Sequence, residues 1–278
     1  MNETFAVTPL SSTLGAQIHG IDAAAIDDAG FERVRAAWLE HLVLLFRNQR
    51  LDDRALVDFT SRFGELEEAP LFGGRRYVEE HPEVMIISNV AVDGREIGSL
   101  GNAEAFWHTD LNFVEEPPAA SCLFAHEVPP TGGDTGFANM YAAFEALPQD
   151  VAARIAGRRI RHDARFNSAG YLREVRVPDT LHPIVRRHPE TLRNALYLGR
   201  RAHARIEDMA VDESDALLDT LWAHATSDAF TWHHQWRAGD LLIWDNRCTL
   251  HRRDSFDASQ RRVMHRTQTR GSRPVQGG

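Results

Sequence analysis

The sequence predicts a mainly β fold with flanking helices, of the sandwich or jelly-roll kind. Short β-rich runs recur along the chain with turn signals between them. Helical periodicity is confined to a few segments. A length of 278 residues suits one large sandwich or barrel domain spanning 1–278.

Taken in order, residues 31–46 begin with helical periodicity and end in a β-rich run over 42–46. A helix is expected over 52–63, capped by Asp52 or Asp53 and closed by Gly64 in a left-handed conformation. Residues 84–90 read as a strand. From 94 to 105 the composition turns to Gly, Asn, Ser and Glu, which suggests a mobile loop beside a site. Strands follow over 106–113 and 119–128, then a Pro-Pro-Thr-Gly-Gly-Asp turn over 129–134. Asn139 is placed to cap a short helix reaching 147. Residues 165–180 are polar and irregular, a second loop over the site. An amphipathic helix is expected over 212–227, and strands over 230–236, 240–244, near 251 and over 261–269.

Composition narrows the function classes. Hydrophobic residues make up 43% and charged residues 26%, as in ordinary soluble proteins. A net charge of −9 argues against a nucleic-acid surface. Two cysteines, Cys122 and Cys248, are too few for a disulfide framework and fit a reducing cytosol. Residues 1–10 hold no Lys or Arg and no long apolar stretch, unlike a secretory signal. The apolar run 42–46 is far too short to span a bilayer. A soluble cytoplasmic protein with no membrane or nucleic-acid partner is expected.

The chemistry concentrates in two segments, Trp107-His108-Thr109-Asp110 and the run from Trp244 to His251. On a strand His108 and Asp110 would share a face. Two imidazoles and one carboxylate suit a non-haem Fe(II) site with open coordination positions. A lone His-x-Asp triplet is more often surface polarity than a ligand pair. His233 and His234 are adjacent on a strand, so one should be core and the other exposed. His19, His41, His81, His126, His162, His182, His188, His203 and His224 show no partner pattern and read as structural.

On the last strand Arg262, Met264, Arg266 and Gln268 share one face. If that face points inward, two guanidinium groups are buried and need carboxylates, which arginine can grip bidentately. The two arginines would stand about 13 Å apart along a strand, room for two anion subsites. An exposed edge strand with solvated arginines explains the periodicity equally well.

These segments resemble the taurine and 2,4-dichlorophenoxyacetate dioxygenases, which use Fe(II) and 2-oxoglutarate. The likeness is carried by Ile87-Ser88-Asn89-Val90, Trp107-His108-Thr109-Asp110, Pro129-Pro130-Thr131-Gly132-Gly133-Asp134-Thr135, Asn139-Met140-Tyr141, Trp244-Asp245-Asn246-Arg247 and Arg261-Arg262-Val263-Met264-His265-Arg266. It runs from about residue 5 to about residue 270 with the motifs in order. The resemblance implies a double-stranded β-helix, a distorted jelly roll with flanking helices. It implies His108, Asp110 and His251 as iron ligands, and Thr135 and Arg262 as holders of the distal carboxylate of 2-oxoglutarate. Arg266 matches the arginine that meets the acidic group of the primary substrate. The implied reaction hydroxylates a C–H bond of a small anion with O2, while 2-oxoglutarate yields succinate and CO2. The presence of Asp110 argues for hydroxylation over halogenation. Relatives are usually homo-oligomers.

The match departs at residues 64–70, which lack the histidine that the taurine enzyme uses for its sulfonate. The likeness at 87–90, 93–94 and 101–102 is closer to the dichlorophenoxyacetate side, favouring a small carboxylate, with Phe106, Phe113, Phe166 and Tyr171 available as aromatic walls. A sulfonate or sulfate ester remains an alternative substrate. Glu104, four residues before His108, allows an amine-bearing acid as another. More remote readings are a zinc hydrolase using the same three ligands and a non-catalytic cupin-like binding protein.

Overall fold

The computed structural model describes residues 5–72, 74–163, 165 and 179–278. Two facing sheets form the jelly roll. The larger has eight strands in the order Ala6–Pro9, Ala16–His19, Val43–Phe46, Leu241–Asp245, Ala120–Glu127, Val263–Gln268, Met85–Ser88 and Ser99–Leu100. The smaller has four, in the order Thr231–His234, Thr135–Asn139, Thr249–Arg253 and Ala105–His108. Pairing in the smaller sheet is antiparallel throughout.

The central strands of the large sheet are buried on both faces, which explains their continuous apolar runs. Leu242 and Trp244 point between the sheets, where they join Leu123, Met264, Phe137 and Leu250. Their neighbours Leu241 and Ile243 point the other way and pack with Cys122, Phe124, Phe46 and Phe59. The helices Asp28–His41 and Asp53–Ser61 seal that outer layer through Val34, Trp38 and Leu56. The predicted helix-to-strand switch over 31–46 is therefore real: Leu42 takes φ 67° as the cap, and the strand starts at Val43.

Local capping follows the sequence closely. Asp52 accepts from the Ala55 N–H at 2.8 Å, and Asn139 accepts from the Tyr141 and Ala142 N–H groups at 3.0 Å. The helix Val211–Ala225 begins one residue earlier than expected. Three expectations need correction. Gly64 has φ 156°, not a left-handed value, because the helix already ends at Arg62. The strand expected over 106–113 is Ala105–His108, since Asp110 and Leu111 turn the chain, Leu111 with φ 45°. Four residues of the expected loop over 94–105 are paired, in the short strands Arg95–Glu96 and Ser99–Leu100, and most of the rest is irregular. The loop expected over 165–180 falls largely outside the described residues, as do Phe166 and Tyr171. Among the described residues no helix is long and apolar enough to cross a membrane.

Candidate metal centre and anion pocket

His108 ends its strand directly opposite His251, so strand pairing alone brings the two imidazoles together, with ring centroids 4.2 Å apart. The turn after His108 swings Asp110 back beneath them. That turn is pinned where the Thr109 N–H donates to the Gly199 carbonyl at 2.8 Å. Gly199 sits at φ 65°, and a Cβ there would lie 2.4 Å from the His162 ring, so only glycine permits this close approach. Asp110 Oδ1 lies 3.8 Å from His108 Nε2 and 3.7 Å from His251 Nε2. Shared strand alternation is thus not what unites His108 and Asp110; a turn does it.

The donor chemistry fits a divalent metal. All three groups are buried, and one donor atom from each lies within 4.8 Å of the others. His108 Nδ1–H donates to the Phe106 carbonyl at 2.7 Å, which leaves the Nε2 lone pair aimed inward. Burial, with the adjacent His108, pushes the His251 imidazole down to about 3, and burial lowers His108 against the pull of Asp110. Both rings are therefore neutral, as ligands must be. Burial alone would raise Asp110. Instead the charge of Arg266, the facing edges of the two imidazoles and a hydrogen bond from Ser121 hold it well below the usual carboxylate range. Two imidazoles and a carboxylate with room around them match the facial donor set of non-haem Fe(II).

The centre opens into a small cleft of about 70 Å³ between the sheets, lined by the triad, Thr135, Trp244, Arg253, Arg262 and Arg266 among others. Arg262 is 2% exposed, and none of the described carboxylates pairs with it. Its Nε is buried without a partner, and a Cβ on Gly133 would sit 3.4 Å from that atom. Burial, aided by the charge of Arg253, pushes the Arg262 guanidinium down to about 9. Thr135 reaches the same cleft, and its Oγ1 accepts from Trp236 Nε1–H at 2.9 Å.

Arg266 lines the cleft, as expected of a buried arginine that needs a carboxylate, and a protein carboxylate already meets it. Its Nη1 donates to Asp110 Oδ1 at 3.1 Å and its Nη2 meets Met85 Sδ at 3.1 Å. Glu104 stands 3.6 Å from Arg252 and does not line the cleft, so the feature behind an amine-bearing substrate is already neutralised. His234 is buried and His233 exposed, as alternation requires.

Sequence reasoning missed several members. Arg253 lines the cleft, and its place two residues after His251 carried the signal. The Trp244-Asp245-Asn246-Arg247 run is scaffolding. Asp245 pairs with Arg247 at 2.7 Å and accepts from His188 Nε2–H at 3.0 Å, while Asn246 donates to Ser121 Oγ at 2.8 Å. His188 thus has a partner invisible to sequence spacing. Aromatic rings shape the wall, with Trp244 5.0 Å from the His251 ring.

Comparison with known proteins agrees with this arrangement. The family model for "Taurine catabolism dioxygenase TauD, TfdA family" matches residues 6–268. The (S)-phenoxypropionate/alpha-ketoglutarate-dioxygenase of Sphingobium herbicidovorans is 33% identical over 292 residues, which cover 98% of this chain and 96% of the relative. The alpha-ketoglutarate-dependent 2,4-dichlorophenoxyacetate dioxygenase of Cupriavidus pinatubonensis is 36% identical, covering 94% of this chain and 96% of the relative. The crystal structure of a taurine dioxygenase from Burkholderia xenovorans superposes with a TM-score of 0.82 at 35% identity, over 98% of this chain and 93% of that one. Matched along nearly its whole length, the chain belongs to the TauD/TfdA family of 2-oxoglutarate-dependent dioxygenases.

Proposed function

We propose that this enzyme hydroxylates a C–H bond of a small organic acid, with an aryloxyalkanoic acid as the favoured substrate class. Fe(II) would be held by His108, Asp110 and His251, and the distal carboxylate of 2-oxoglutarate by Arg262 with Thr135. The observation that carries this reading is Arg262: a guanidinium 2% exposed, in the cleft of the His/Asp triad, with no described carboxylate paired to it. A buried cation in that position calls for an anionic ligand. Both relatives named above act on aryloxyalkanoic acids by their names.

Bound iron supplies the redox chemistry that joins O2, 2-oxoglutarate and the target C–H bond into hydroxylated product, succinate and CO2. The chain's own residues supply placement. Arg262 offers a planar fork to one carboxylate, and the Thr135 hydroxyl, fixed by Trp236, donates to the same group. Leu123, Ile87 and Trp244 line the cleft with apolar surface that limits water. Arg266 would meet the substrate acid by sharing or leaving Asp110, so substrate binding is coupled to the ligand carboxylate. Among the described residues lining the cleft Asp110 is the one carboxylate, which leaves a zinc hydrolase with no described general base. The reading treats 1–278 as one catalytic domain working in the cytoplasm, with a small-molecule anion as partner.

The test is anaerobic titration of Fe(II) and 2-oxoglutarate into apo-protein, followed by the visible metal-to-ligand charge-transfer band. A band lost in His251→Ala and weakened in Arg262→Ala is expected. A full-strength band in both variants would overturn the assignment.

A further inference from the structure

The large sheet carries a second cluster of metal-binding side chains that the dioxygenase chemistry does not use. Asp53 lies in the first turn of the helix Asp53–Ser61, His126 near the end of the strand Ala120–Glu127, and His265 inside the strand Val263–Gln268. Alternation turns both histidines to the side on which the helix bearing Asp53 packs. Met264 points between the sheets, so His265 points out toward the helix layer, and His126 follows Cys122 and Phe124 on that outer face. The strand pairing shifts register between Val263 and Met264, opposite His126, and such bulges re-aim side chains.

One donor atom from each of Asp53, His126 and His265 lies within 4.8 Å of the other two. The His265 Nδ1 meets Asp53 Oδ1 at 2.5 Å, and the His126 and His265 rings lie 4.1 Å apart between centroids. An Asp–His pair explains the first contact. It does not explain a second imidazole held against the first at an interplanar angle of 58°, since two such rings repel if both are protonated. A shared cation makes all three contacts favourable together. His126 is exposed, which gives an entry path, and His81 is within electrostatic reach of Asp53.

We propose that Asp53, His126 and His265 form a second site for a divalent transition metal, of the Zn²⁺, Ni²⁺ or Co²⁺ class. Two imidazoles and one carboxylate suit these ions, with water completing the shell. The site ties three elements together behind the cleft. His265 is flanked in sequence by Arg266, whose side chain enters the cleft from the opposite face of the same strand. A metal there would hold the arginine-bearing strand against the helix and its neighbour, so its role is structural support of the anion pocket.

The experiment is equilibrium dialysis of full-length apo-protein against Co²⁺, with bound metal measured directly and visible d–d bands recorded. Wild type should bind two equivalents, and His251→Ala should retain one. The double variant Asp53→Asn with His126→Ala should also bind one, and should keep the Fe(II)–2-oxoglutarate band. In the His251→Ala background Zn²⁺ should raise the Tm, and adding His126→Ala should abolish that rise. One equivalent in wild type, unchanged by the double variant, would overturn the second site while leaving the triad intact. Two equivalents in the double variant would overturn it as well. If His251→Ala alone failed to reduce the count, the triad assignment would fail instead.

Discussion

Replacing Arg262 with Met should destroy cosubstrate binding and stabilise the empty protein. The two effects have opposite signs because they come from one cause. Arg262 is fully enclosed, its Nε is unpartnered, and Arg253 adds a second positive charge nearby. Burial with that neighbour depresses its pKa to about 9, well below the ordinary arginine range. At 1.36 kcal/mol per unit, the charged form is disfavoured by roughly 4–5 kcal/mol where it stands. At pH 7 the group is still protonated, so the penalty is fully present, and it is relieved only as pH rises through about 9. An apolar side chain of similar length removes it, and comparable replacements stabilise by about 1–4 kcal/mol. On the proposed assignment, the carboxylate of 2-oxoglutarate would supply the missing charge in the wild type. Truncating one partner of such a pair costs about 3–5 kcal/mol, or a Kd raised by two to three and a half orders of magnitude. Differential scanning fluorimetry with and without 2-oxoglutarate reads both effects. Wild type should gain Tm on adding cosubstrate; the Met variant should start higher and gain nothing. An empty variant less stable than wild type by 2 kcal/mol or more, with an undiminished response to 2-oxoglutarate, would refute the reasoning.

Three further outcomes are expected. Asp110→Ala should abolish hydroxylation in folded protein; near-normal succinate release with product formation would contradict its role as ligand. Thr135→Val should raise the KM for 2-oxoglutarate by roughly ten- to hundredfold, the worth of one hydrogen bond to a charged carboxylate, with kcat little changed. Burial holds the His182 imidazole down at about 4 against a hydrogen bond to the Val114 carbonyl, so the native state resists protonation that the unfolded chain accepts. Stability should therefore fall on acidification from about pH 6.5 to 4, by on the order of 2–3 kcal/mol from this group, and His182→Gln should flatten the profile in urea melts at pH 7 and 4.5.

Much of the fold could be read from the chain because its determinants are local or periodic. The caps Asp52 and Asn139 act on amides two or three residues away, and the runs over 42–46 and 240–244 show burial on both faces directly. The triad could be read because its motifs match a family pattern. Other features depend on contacts between distant segments. The strand over 106–113 was overextended because a left-handed Leu111 has no signature in composition. His188 and His126 looked unpartnered because Asp245 and His265 lie 57 and 139 positions away in the chain. The partner of Arg266 was not legible because alternation fixes which face it uses, not that Asp110 is the acceptor waiting there.

The carboxylate of Asp110 has a further consequence. Its Oδ2 receives hydrogen bonds from Ser121 and Gln268, both at 3.0 Å, and Ser121 is itself held by Asn246. That oxygen has no lone pair left in the plane, so Asp110 can lend an ion only Oδ1. If Asp110 is a metal ligand as proposed, it would bind through one oxygen and not chelate, leaving one more position for incoming molecules. Ser121→Ala would release that restraint, so a residue outside the ligand set governs how many guests the centre can receive at once.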